Sequence, residues 1–106
     1  MITSAGYRIG PFDVETALLT DDRVAQAAVF GTPDSLRGEV VTAAIVLRDP
    51  DRGSDDLAAE LQHLVRDRLG RHLYPRRTHF VTDLPRTPSG KLQRNLLRQQ
   101  WGTEST

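Results

Sequence analysis

The residues of this chain best suited to chemistry lie in a ten-residue stretch near its end, PRTPSGKLQR, Pro85–Arg94. Lys91 follows a Ser89–Gly90 turn, a setting that places an ammonium at a loop tip with backbone N–H groups curving around it. A compact, mobile cation of this sort suits a carboxylate or phosphate whose negative charge must be steadied during reaction. Arg86 and Arg94 add positive charge nearby. Local composition by itself favours a plainer reading, a solvent-exposed turn. The stretch is not a Walker A loop, because Leu92 follows Lys91 where Ser or Thr is required and no glycine stands five residues before Gly90. A second stretch, SAGYRIG, Ser4–Gly10, is equally ambiguous. Tyr7 has a ring that could stack on a ligand and Arg8 a fork that could pair with phosphate, while Gly6 and Gly10 permit close backbone approach. Both side chains could equally finish a surface turn.

The rest of the composition narrows the chemistry. Fourteen Lys and Arg balance fourteen Asp and Glu in 106 residues, so no long-range field favours nucleic acid or an anionic membrane, and neither is expected as a partner. There is no cysteine, which removes disulfides, thiolate catalysis and cysteine-ligated metals. His63, His72 and His79 lack metal-ligand spacing, and no metal site is expected. No run of about 20 apolar residues and no secretory core is present. A cytoplasmic location is the resulting expectation.

The elements that must carry the two loops are readable from pattern. Residues 1–10 suggest a loop or short strand pair. Pro11 suits the first turn of a helix, with Asp13 and Glu15 facing the positive end of its dipole and Val14, Ala17 and Leu18 forming an apolar stripe. That helix should stop around Asp21–Arg23. VAQAAVFG, Val24–Gly31, reads as a strand, Thr32–Glu39 as a polar connection, and VVTAAIVL, Val40–Leu47, as a central strand buried on both faces. Ser54 can cap a helix over Asp55–Leu69, whose Leu57, Leu61, Leu64, Val65 and Leu69 recur at helical spacing before Gly70. Arg76–Asp83 reads as a further strand, LPRTPSGK as a turn-rich loop, Leu92–Trp101 as a short helix, and the final GTEST as a frayed tail. The fold class is therefore α+β: a compact mixed domain with a central sheet of about three strands flanked by helices, plus a small N-terminal strand or loop element.

Taken together, the two loops resemble those of one family. SAGYRIGPFDVE, Ser4–Glu15, is similar to the motif that opens the C-terminal domain of adenylate-forming acyl-CoA synthetases. PRTPSGKLQR resembles the motif near their C-terminus, and VFGTPDSLRGEVVTAAIVL, Val29–Leu47, the segment between. The resemblance implies a mobile domain, residues 1–106, of an ATP-dependent ligase whose large N-terminal ATP- and acyl-binding domain is not within these residues. It implies ATP, Mg2+ and CoA as cofactors of the complete enzyme, none held tightly by this domain alone. The complete enzyme would join a carboxylic acid, of short- or medium-chain class, to CoA through an acyl-adenylate; the isolated domain would be inactive. Lys91 would be catalytic in adenylation, and Gly6, Tyr7 and Arg8 would form the CoA-channel or domain-alternation loop. Arg37, Arg76, Arg77 and Arg86 are candidates for phosphate or interface contacts. A stand-alone accessory domain of the same fold, or part of an enzyme loading a carrier protein, are the alternatives.

Overall fold

A computed structural model of the chain describes residues 2–4 and 6–102; Met1, Ala5 and residues 103–106, which include most of the expected tail, lie outside the described residues. The first strands, β1 (Ile2–Ser4) and β2 (Tyr7–Ile9), form an antiparallel hairpin in which Ile2 faces Ile9. Helix α1 (Pro11–Leu19) starts on its proline, as expected, and buries Val14, Ala17 and Leu18. Strands β3 (Val24–Asp34) and β4 (Gly38–Leu47) follow, then a 3-10 turn at Pro50–Arg52, helix α2 (Asp55–Leu69), strand β5 (Arg77–Phe80) and helix α3 (Arg94–Trp101).

The strands form one sheet in the order β2-β1-β4-β3, with β5 pairing parallel to β4. The expected central strand is central. β4 pairs with β3 along one edge, while its other edge takes β1 at Gly38 and β5 at Thr42–Ile45. Its period-two alternation divides the core between the two faces of the sheet. Val41, Ala43 and Ile45 join Val29, Leu18, Leu61 and Val65 under α1 and α2, and Ala44 joins Ala28, Phe30, Leu84 and Leu97 under α3. α2 starts where Ser54 Oγ accepts from Leu57 N at 3.1 Å and ends where Gly70 N donates to Arg66 O, so its sequence limits are its structural limits.

The fold departs from the sequence expectation in one place. Thr32–Glu39 is not a polar connection. β3 runs on to Asp34 and β4 begins at Gly38, so that Thr32 faces Val40 and Pro33 faces Glu39. Proline is tolerated because β3 lies at the sheet edge, and the buried Thr32 and Thr42 hydroxyls satisfy each other at 2.7 Å. The rest of the α+β expectation holds: β3, β4 and β5 are the three central strands, and the small N-terminal strand element is the β1–β2 hairpin, which extends the sheet to five strands.

Candidate functional site

Lys91 sits at the end of a loop whose backbone closes on itself. Thr87 N donates to Lys91 O at 2.8 Å, Gly90 N to Thr87 O at 2.8 Å, and Gln93 N to Pro85 O at 2.9 Å. Lys91 N donates to Thr87 Oγ1 at 3.0 Å, so one threonine holds both backbone groups of the lysine. Gly90 turns the chain at φ +90°, a left-handed conformation that costs other residues about 1–2 kcal/mol. The loop is thus a built turn, and Lys91 is exposed on it. Its Nζ has no hydrogen-bond or ion-pair partner among the described residues. It is also the chain's one lysine, every other basic side chain of that pair being arginine.

Both arms of the loop are tied to strand β3. On the incoming arm, Arg86 donates to Gly90 O at 3.0 Å and to Gln26 Oε1 at 3.1 Å. On the outgoing arm, Arg94 binds Glu15 of α1 through Nη2 at 2.7 Å to each carboxylate oxygen and through Nε at 3.2 Å, and also donates to Val29 O at 3.2 Å. Glu15 Oε2 accepts from Val29 N at 2.8 Å. The two side chains therefore occupy the N–H and C=O of one edge-strand residue, in the place a further strand would take. Only 11% of the Glu15 side chain and 22% of the Arg94 side chain are exposed, and the Arg94 guanidinium lies 4.8 Å from the centre of the Phe12 ring. Reading Glu15 as a helix-dipole residue and Arg94 as loose positive charge missed this contact. The signal available was an acidic residue on the buried face of α1, which requires a partner somewhere.

The opening segment stands on the other side of the sheet, with β1 and β4 between β2 and β3. Gly6 is exposed at φ +84°, and a Cβ there would meet no atom within 4 Å. Tyr7, 48% exposed, stacks on His72 with ring centroids 3.7 Å apart. Arg8 is exposed on β2 opposite Thr3. The structure thus brings Gly6, Tyr7 and Arg8 together, and no hydrogen bond or ion pair joins them to the Lys91 loop among the described residues.

Two of the remaining arginines are engaged at the β3–β4 turn. Arg37 N donates to Asp34 Oδ2 at 2.9 Å and its guanidinium returns to the same oxygen at 3.4 Å. Arg77 donates to Thr32 Oγ1 at 2.9 Å and Pro33 O at 3.1 Å, with Asp34 3.7 Å away. Desolvation raises the Asp34 pKa, but hydrogen bonds from the Arg37 and Leu36 backbone and the Arg37 charge outweigh it and hold the carboxyl below its ordinary value. Arg76 is exposed and lies 5.0 Å over the Tyr74 ring. His79 stacks on Trp101 at 3.9 Å; burial, and secondarily the Arg77 charge, lower its pKa. Among the described residues no three His, Cys, Asp or Glu side chains gather as a metal set.

An open mixed sheet with helices on both faces, carrying a lysine on a closed turn at one end of the chain and a glycine hairpin at the other, defines the class of domain to which the motifs pointed. The chain belongs to the AMP-binding enzyme C-terminal domain family, which matches residues 13–91, from the first turn of α1 to Lys91 itself. It is 50% identical over 105 residues to the mitochondrial acyl-coenzyme A synthetase ACSM4 of Rattus norvegicus, covering 96% of this chain and 18% of that protein. A crystal structure of Brucella canis acyl-CoA synthetase superposes with a TM-score of 0.90 at 54% identity, over 93% of this chain and 18% of that one. The amide bond synthetase McbA from Marinactinospora thermotolerans follows at 0.85 and 39%, over 94% of this chain and 20% of that one. The chain thus spans about a fifth of the length of the proteins it matches.

These likenesses overturn the expected cytoplasmic location, since the ACSM4 relatives of rat, mouse and human are all named as mitochondrial. The expectation rested on the lack of a targeting segment within these residues. A domain matching 18% of its relatives' length has no bearing on a leader located elsewhere in a chain.

Proposed function

We propose that this domain supplies Lys91 to the adenylation half-reaction of an AMP-forming acid–CoA ligase, working against a large N-terminal domain in the same chain or in trans. The observation that carries the reading is the Lys91 turn: an exposed ammonium on a loop whose backbone is closed by Thr87 and anchored on both arms. In that half-reaction a carboxylate oxygen bonds to the α-phosphorus of ATP as the bond to pyrophosphate breaks. The carboxylate and the triphosphate repel each other. Lys91 lowers that barrier by donating to the acid oxygen and an α-phosphate oxygen together, holding them at reacting distance while charge moves onto the leaving group. Lys91 is an electrostatic participant and forms no covalent bond.

In the second half-reaction the CoA sulfur bonds to the acyl carbon as the bond to AMP breaks. Here the Gly6–Arg8 hairpin takes the place of the Lys91 loop by rotation of the domain, with backbone at Gly6 bordering the channel for the pantetheine arm. Two sides of one sheet carry the two loops, which supports alternation rather than simultaneous use. Arg76 and Arg8, exposed, suit contacts to CoA phosphate or to the facing domain; Arg37, Arg77 and Arg86 serve chiefly to hold the turns they are bonded within. Mg2+, where bound, supplies charge neutralisation of the triphosphate. In this reading its ligands are the substrate phosphates and side chains of the large domain. Without that domain the chain is expected to form neither acyl-adenylate nor thioester. Likeness to an amide bond synthetase supports a second reading, in which the same adenylation feeds an amine acceptor.

The test is to join the domain to its large partner and measure the half-reactions separately. Lys91→Ala is expected to lower adenylation about 10²- to 10³-fold, the range for loss of one preorganised donor, and to leave thioester formation from presynthesised acyl-adenylate largely intact. Equal adenylation by variant and parent would exclude the role. Replacing CoA with an amine in the second step separates the two acceptor readings.

A further inference from the structure

Among the ion pairs of the described residues Glu15–Arg94 is the least exposed: three Arg94 contacts converge on one carboxylate, and both partners also bind Val29. An ion pair so placed is a weak device for stability, because apolar side chains of similar volume commonly do as well. What it does well is fix geometry. A guanidinium held by two carboxylate oxygens and a backbone carbonyl can neither slide nor rotate without breaking several bonds. Arg94 is the first residue of α3 and stands three residues after Lys91, a span of at most about 10 Å. Between them Gln93 N is bonded back to Pro85 O.

The incoming arm repeats the arrangement. Arg86 stands five residues before Lys91, bonds Gly90 O inside the loop, and reaches Gln26 on the same strand that Arg94 holds at Val29. A loop fastened on both arms to one edge strand moves with that strand. The Glu15 anchor lies on α1, immediately after the opening hairpin, so the element that follows one loop holds the other, although no hydrogen bond or ion pair joins the two loops among the described residues.

Resting on the reading of Lys91 given above, we infer that Glu15 and Arg94 are positioning residues for Lys91: their ion pair on the β3 edge sets where the ammonium stands in adenylation, and Arg86 supports it from the other arm. Neither residue touches the reacting atoms. Their contribution passes through Lys91 alone, and this makes it separable from a general effect on folding.

The experiment is a double-mutant cycle in the complete two-domain enzyme. Arg94→Met is measured with Lys91 present and in a Lys91→Ala background, following adenylation and thioester formation separately. Because Arg94→Met strands the Glu15 charge at a cost in folding stability, Glu15→Gln/Arg94→Met, which leaves no buried charge, is carried through the same cycle. With Lys91 present, either variant is expected to lower adenylation kcat about 10- to 100-fold, the scale of a misplacement of about 1 Å. KM for ATP and the thioester step should stay within about twofold of the parent, and in the Lys91→Ala background the variants should cause no further loss of adenylation. The same fold-loss with and without Lys91, or an equal loss in both half-reactions, would overturn the proposal and leave the pair a structural one. A Lys91→Ala enzyme that adenylates normally would instead overturn the reading of Lys91 on which the proposal rests.

Discussion

Replacing Arg94 with methionine keeps the length of the side chain and removes its charge and donors. Glu15 is then left with one N–H, that of Val29, for a carboxylate whose side chain is 11% exposed. Removing one partner of a buried pair costs about 3–5 kcal/mol, because the surviving charge is neither paired nor hydrated. The 22% exposure of Arg94 lets some water reach the vacated site, which places the expectation near the lower limit, about 3 kcal/mol. Loss of the Phe12 contact adds little, since Phe12 is 67% exposed. Urea unfolding of the 106-residue chain provides the assay. With a denaturant slope of about 1.5 kcal/mol/M, the midpoint should fall by about 2 M. In Glu15→Gln/Arg94→Met no charge is stranded, and the loss should shrink to about 1 kcal/mol, the scale of ordinary hydrogen bonds. The single variant must therefore be less stable than the double. If the two lose the same stability, or if Arg94→Met costs under about 1 kcal/mol, the pair is hydrated in solution and the burial argument fails.

Three further outcomes follow from the loops and the core. Gly6→Ala and Gly6→Leu impose the same positive-φ cost of about 1–2 kcal/mol, and neither meets a neighbour at Cβ within this domain. Equal unfolding midpoints but a selective loss of thioester formation in the leucine variant would identify a channel, and equal thioester rates would refute one. Gly90→Ala should lose about 1 kcal/mol or more in urea unfolding and Gly90→Asn less, because asparagine visits the left-handed region; the reverse order would contradict the turn geometry. For His79, burial lowers the folded pKa below the 6.5 of the unfolded chain, so the folded state binds fewer protons. Its contribution is complete above pH 6.5 and is lost as pH falls through the lower folded value. His79→Gln should flatten that part of the stability profile between pH 7 and 5, and an unchanged slope would show that His79 titrates normally.

The elements that depend on neighbours in the chain were legible in advance. Pro11 starts α1, Ser54 and Gly70 bound α2, and the nearly unbroken apolar run Val40–Leu47 announces a strand buried on both faces. Gly90 before Lys91 marks a turn, and the two loop motifs together identify the family. Each of these signals acts over a few residues, through φ preference, capping or period.

Which distant groups meet depends on the assembled fold. Nothing local says that β5 joins the same edge of β4 as the N-terminal hairpin, or that Thr32–Asp34 continues a strand, because those outcomes depend on what lies alongside. The charges are the clearest case. Fourteen basic and fourteen acidic side chains admit many pairings of similar local merit, and the one that anchors the lysine loop joins residues 79 positions apart. Sequence determined that Lys91 stands on a turn. The fold decided that the turn is held still, because only packing α1 and α3 against β3 brings Glu15 and Arg94 together and shields most of both from water.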